Sequence, residues 1–134
     1  MSLKKIGILT FHRTINYGGV LQTFALKKVI EDLGYESNII DHRNEHIEKI
    51  NRVKLFNFYS VKAFVNEILA YRSKSKKFEK FKEFRDHYLN PADNIDTDIE
   101  NKYDAFITGS DQVWNYMLSD FDKTYFLDFV HDKN

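Results

Sequence analysis

The apolar positions of this chain fall into short runs and helical stripes separated by polar turns. "KKIGILTF" holds a compact apolar run, which predicts a first buried strand over about Lys4 to Thr10. The loop "HRTINYGG" follows. From Gly18 the period lengthens: Leu21, Phe24, Ala25, Val29, Ile30 and Leu33 recur at spacings of three and four, predicting an amphipathic helix that Gly34 stops. "YESNIIDH" reads as a second strand ending near Asp41. Strand, glycine-bearing turn, helix and strand make one βαβ unit, which favours a right-handed crossover and a parallel sheet.

Beyond Asn44 the pattern is helical and less regular. Val61, Phe64, Val65, Ile68 and Leu69 form one stripe, and Phe78, Phe81, Phe84 and Tyr88 form another past a basic joint at Arg72 to Lys77. Two helices, or one bent one, are expected over about residues 58–89. Pro91, the sole proline, ends this segment. A short apolar run at Tyr103 to Thr108 predicts a third strand, and "TYFLDFV" predicts a last one. The expected fold is α/β, a single Rossmann-like domain over 1–134 with an open, mostly parallel sheet of about four strands and flanking helices. Four strands fall short of the usual five or six, so the chain reads as part of a larger unit.

At 134 residues the length suits one domain, and 43% hydrophobic content suffices for a core. Twenty basic and twenty acidic residues cancel, so no global field draws the chain to nucleic acid or to an anionic membrane. The balance is uneven locally: Ser73 to Arg85 holds six Lys/Arg against two Glu, while Asn90 to Asp128 holds nine acids against two lysines. A solvated helix face beside acidic loops accounts for both. "KSKKFEKFKEFR" spaces its phenylalanines as a buried stripe rather than a base-stacking platform, so nucleic acid is not an expected partner. Cysteine is absent, which excludes disulfides, thiolate zinc sites and a Cys nucleophile. "HRNEH" matches an inverted zinc-protease string, but it follows a strand end with no helix to supply a third ligand, and no metal is expected. The N-terminus is too short in apolar residues for a signal peptide, and no run approaches the ~20 needed to span a bilayer. The expectation is a soluble, cytoplasmic chain.

In open α/β sheets ligands bind beyond the carboxyl ends of the strands, where loops diverge. Two loops fit that place: Phe11 to Gly19, and Gly109 to Asn115 within "YDAFITGSDQVWN". Each sets glycine beside hydrogen-bonding side chains, which suits either a tight turn or a close approach to ligand. "NYGGVLQ" lacks the G-x-G-x-x-G dinucleotide pattern, although Asp41 stands where such folds hold a ribose. "GSDQVWN" is neither a phosphate-cradling loop nor a nucleophile elbow.

Taken together, the two loops resemble the N-terminal part of the polysaccharide pyruvyl transferase family. The matching residues are Asn16, Tyr17, Gly18, Leu21 and Gln22; then Ile40, Asp41 and Arg43; and, most specifically, Gly109, Ser110, Asp111, Gln112, Trp114 and Asn115. The resemblance implies two Rossmann-like halves arranged as in GT-B glycosyltransferases, of which this chain would be the first, acceptor-side half. It also implies transfer of a pyruvyl group from phosphoenolpyruvate, as donor substrate rather than cofactor, to a sugar hydroxyl of a cell-surface polysaccharide.

That transfer needs a base for the acceptor hydroxyl, an acid, and cations around phosphate and carboxylate. Asp111 is the candidate base, or alternatively a helix N-cap. Asn16, Gln112 and Asn115 would offer the hydrogen bonds saccharides favour, with Tyr17, Gly18, Gly19, Gln22, Gly109 and Ser110 completing the loops. Trp114 would give a sugar a stacking face or fill the core. His12 and Arg13 are secondary candidates, for proton shuttling and anion binding, and Asp41 is a third. Two other functions stay open: a non-catalytic module binding saccharide or anion, and a nucleotide-binding domain that uses Asp41. The expected partners are the sugar acceptor, the donor, and either a C-terminal half or a second copy.

Overall fold

The computed structural model describes residues 4–51, 61–95 and 98–131, and only the backbone of 50, 51, 61–71 and 111. The stripe from Val61 to Leu69 and the expected helix start near residue 58 thus lie outside what is described of the packing.

Three parallel strands form the sheet: β1 (Lys5–Leu9) lies between β2 (Glu36–Ile39) and β3 (Ala105–Thr108). Ile8 pairs with Ile39 on one side and Ile107 on the other. A central parallel strand is covered on both faces, which is why β1 reads as an unbroken apolar run. Its side chains still alternate. Ile6 and Ile8 join Val20, Ile30, Ile39, Phe81 and Leu89 in one core layer, while Leu9 joins Ile40, Val113 and Tyr125 in the other.

α1 (Tyr17–Asp32) carries the chain from β1 to β2. Gly34 ends it at φ 85°, with the N–H of Tyr35 bonding back to the carbonyl of Ile30, a stop that needs a residue without Cβ. α2 (Glu45–Asn51) follows β2. α3 (Val61–Phe84) then runs unbroken through the basic joint, so the expected helical segment is one helix here, because Arg72 to Lys77 contains no glycine or proline to interrupt it. It widens into a π-helical turn at Arg85–Leu89 and stops at Asn90, which is left-handed. Past Pro91 the chain lies briefly beside β2, with Asp93 bridged to Ile40, and α4 (Ile99–Lys102) leads into β3.

The last expected strand is absent among the described residues, so the sheet has three strands rather than about four. A 3-10 turn at Asp111–Trp114, α5 (Tyr116–Ser119) and a second 3-10 turn at Lys123–Phe126 take that place. The apolar run does contribute to the core, but its backbone is not a strand. Tyr125 is buried, Leu127 and Phe129 half-buried, and Phe126 and Asp128 exposed, which is the alternation of a strand. Here a series of turns produces it. The Asp122 carboxylate accepts from the Thr124 N–H and initiates a tight turn, and Leu127 is left-handed at φ 59°.

Gly7 fits its strand closely. A Cβ there would stand 2.9 Å from Cδ1 of Phe106 and 3.0 Å from Cδ1 of Ile40. Gly7→Ala is therefore expected to lower the unfolding free energy by about 1–3 kcal/mol through overpacking, measured by urea denaturation. An unchanged midpoint would mean that Phe106 turns aside freely.

Candidate functional site

The strand order puts the reversal of direction at the carboxyl ends of β1 and β3: the chain leaves β1 toward β2, and β3 lies on the opposite side. Gly109 donates its N–H to the Leu9 carbonyl at 3.2 Å, which fixes the starts of the two loops side by side. Between them opens a cleft of about 550 Å³. The first loop and α1 contribute Thr10, Phe11, Thr14, Asn16, Gly18, Gly19 and Gln22; the second contributes Ser110 and Gln112, and α5 adds Leu118. None of these side chains is charged.

Local chemistry shapes each wall. Asn16 is the N-cap of α1, its Oδ1 accepting from the Gly18 N–H at 2.8 Å, which leaves its amide N–H groups for the cleft. A Cβ on Gly19 would lie 2.7 Å from Cγ2 of Thr14, so the glycine allows the loop to fold back on the helix. Across the cleft, Asn115 caps α5 through the Met117 N–H at 3.1 Å and donates from Nδ2 to Oε1 of Gln112 at 3.2 Å. Asn115 thereby orients an amide that faces the opening.

The two loops proposed from sequence do converge, but not every residue in them reaches the cleft. Asn16, Gly18, Gly19, Gln22, Ser110 and Gln112 line it; Tyr17, Gly109, Trp114 and Asn115 do not. Tyr17 faces a separate groove between α1 and α3. Trp114 is neither core nor cleft wall: half-exposed, it donates from Nε1 to the Tyr125 carbonyl at 3.4 Å. Asp111 opens the 3-10 turn, and its side chain lies outside the described residues. Thr10, Phe11, Thr14 and Leu118 were not singled out from sequence. Thr10 reads as the end of the first strand, while Phe11 and Thr14 fall inside the loop Phe11 to Gly19 without a signal that marks them individually.

His12, Arg13 and Asp41 form a cluster behind the first loop. His12 is buried, with Nδ1 3.1 Å from the Thr10 carbonyl and Nε2 2.9 Å from Oδ1 of Asp41. Both ring nitrogens thus stand within hydrogen-bond distance of an oxygen. Arg13 grips the same carboxylate with two bonds of 2.6 Å, from Nε and Nη2. The His12 bond, opposed by burial and reinforced by Arg13, holds the Asp41 carboxyl far below the usual carboxylate range. None of the three lines the cleft. Nearby, burial and the charge of Arg13 depress the ionisation of Arg85.

A second polar knot fastens the C-terminal segment. Asp122 accepts from His42 at 2.6 Å and from Asn44 Nδ2 at 2.9 Å, and Asn44 also donates to the Ser119 carbonyl. Burial would raise the Asp122 carboxyl, but the bonds from His42, Thr124 and Asn44 outweigh it and the net displacement is downward.

The family model for polysaccharide pyruvyl transferase matches residues 16–134. The chain belongs to this family. The match spans both cleft-forming loops except Thr10 to Ile15, as well as the helical segment between them. A search of curated proteins and one of solved structures return no match.

Proposed function

We propose that this member of the polysaccharide pyruvyl transferase family acts as the acceptor-side half of a GT-B-like cytoplasmic enzyme, holding a sugar while a pyruvyl group passes to its hydroxyl from phosphoenolpyruvate. The observation that carries the reading is the lining of the cleft: amides, hydroxyls, backbone and the ring of Phe11, with no charged side chain among the described residues. Such a wall suits a neutral polyhydroxyl ligand, whose hydroxyls each give and take hydrogen bonds. It suits a phosphate and a carboxylate poorly, so the donor's cations belong outside this cleft. Asp111, on the turn between Ser110 and Gln112, is the proposed base or hydroxyl-orienting group. Family membership supports the transferase class.

Asn16→Asp tests the site without removing the cap, because aspartate caps equally well while its carboxylate cannot donate. Titration with galactosyl and mannosyl oligosaccharides, followed by NMR, is expected to show saturable binding that weakens about fivefold to tenfold in Asn16→Asp and in Gln112→Ala, a loss of one hydrogen bond each. Saturation by phosphoenolpyruvate at these residues, with no response to any saccharide, would overturn the assignment.

A further inference from the structure

α1 carries a line of apolar residues on the side away from the core. Tyr17, Leu21, Val29 and Leu33 are exposed by 66%, 54%, 55% and 68%, and Ala25 is exposed between them. Residues four apart advance around a helix by only about 40°, so the five form one oblique strip. Beside the strip a groove of about 220 Å³ separates α1 from α3, floored by Val20, Phe81 and Phe84. Lys77 spans it, its ammonium 5.4 Å from the ring centre of Tyr17 and 5.6 Å from that of Phe81.

The border of this surface is cationic. Lys74, Lys77 and Lys80 are exposed at three-residue intervals along one side of α3, with Phe78 half-exposed among them. At about 100° per residue, Glu79 turns to the side opposite Lys77, whereas Glu83, three residues past Lys80, ends the lysine row with one acid. On α1, Lys28 is exposed, Glu31 is paired with Lys27 and Lys28, and Asp32 is the one exposed acid on the strip's side, so three row lysines and Lys28 outnumber Asp32 and Glu83. The net neutrality of the chain therefore conceals a face where exposed apolar side chains and lysines are interleaved.

The geometry points to a peripheral docking surface for an anionic lipid bilayer, in which the α1 strip enters the headgroup region and Lys74, Lys77 and Lys80 meet lipid phosphates. Long lysine stems suit that depth, their methylenes beside apolar surface and their ammonium groups in the polar layer. A second copy fits less well, because a two-fold contact here would set the lysine row against itself. A nucleic acid would use the cations and leave the apolar strip in water. No described helix is long and apolar enough to cross a membrane, so the contact is made from one side.

Cosedimentation of the chain with phosphatidylcholine vesicles, with and without phosphatidylglycerol, tests this. Binding is expected only to the anionic vesicles and is expected to weaken with salt. The triple substitution Lys74→Gln, Lys77→Gln and Lys80→Gln is expected to reduce it roughly 100-fold, and Leu21→Gln about tenfold, with circular dichroism unchanged in both. Equal binding to both vesicle types, or to neither, would overturn the proposal. So would duplex oligonucleotide binding at matching strength that Leu21→Gln leaves intact, or a dimer abolished by Leu21→Gln with no vesicle binding.

Discussion

Tyr125→Ala is expected to lower the unfolding free energy by about 3–5 kcal/mol, the range for truncating a large buried aromatic residue. Tyr125 is 1% exposed and stands at the centre of the core layer that α5 and the two 3-10 turns close over the sheet. Its ring meets Phe11 edge-on at 4.9 Å and His42 at 5.2 Å. The loss would therefore reach the cleft, because Phe11 is one of its walls, and saccharide binding is expected to fall together with stability. Tyr125→Phe separates ring from hydroxyl. No hydrogen bond from that hydroxyl occurs among the described residues, so the phenylalanine variant is expected to stay within about 1 kcal/mol of the parent in urea denaturation. Equal losses in the two variants would move the importance from packing to the hydroxyl.

Asp41→Asn is expected to cost about 2–4 kcal/mol near neutral pH, since it removes the carboxylate charge that pairs with the Arg13 fork and weakens the hydrogen bond to the buried His12 ring. The pH dependence follows from the direction of the shift. The folded-state carboxyl lies below its unfolded value of about 3.9, so its contribution is complete above that value and is lost as pH falls through it toward the folded one. The gap between parent and Asp41→Asn is expected to be full at about pH 7 and to close progressively below about pH 4. A gap of constant size across that range would show that the charge is not what stabilises the loop. Because the cluster braces Arg13 and His12 directly before Thr14 and Asn16, the variant is also expected to weaken saccharide binding without touching a cleft residue.

Much of the architecture was legible because it is local. The βαβ unit followed from an apolar run, a change of period at Gly18, and a glycine stop that the structure shows at positive φ. That both loops leave the same edge was legible as well, since the strands before them were expected to be parallel; that β3 lies directly beside β1 was decided by the fold. The C-terminal run was misread because a short apolar run reports burial and says nothing about φ and ψ. Asp122, bonded to His42 and Asn44 some 80 positions earlier, holds that backbone in a turn, and Leu127 continues the turns at positive φ. Trp114 was weighed between core and sugar platform, and its indole instead fastens a turn through a single carbonyl.

By itself the sequence determined the parallel α/β class, the glycine-bearing turns after β1 and β3, and the residues that place the chain in its family. These depend on periodicity, turn chemistry and a short motif, all of which are written in neighbouring positions. Only the tertiary structure decided which loop residues face the cleft, that Asp41 braces His12 and Arg13 rather than lining that cleft, and that the neutral chain keeps a lysine-bordered apolar face. Those outcomes depend on the direction of side chains brought together from distant positions, and direction is set by packing after the chain has closed on itself.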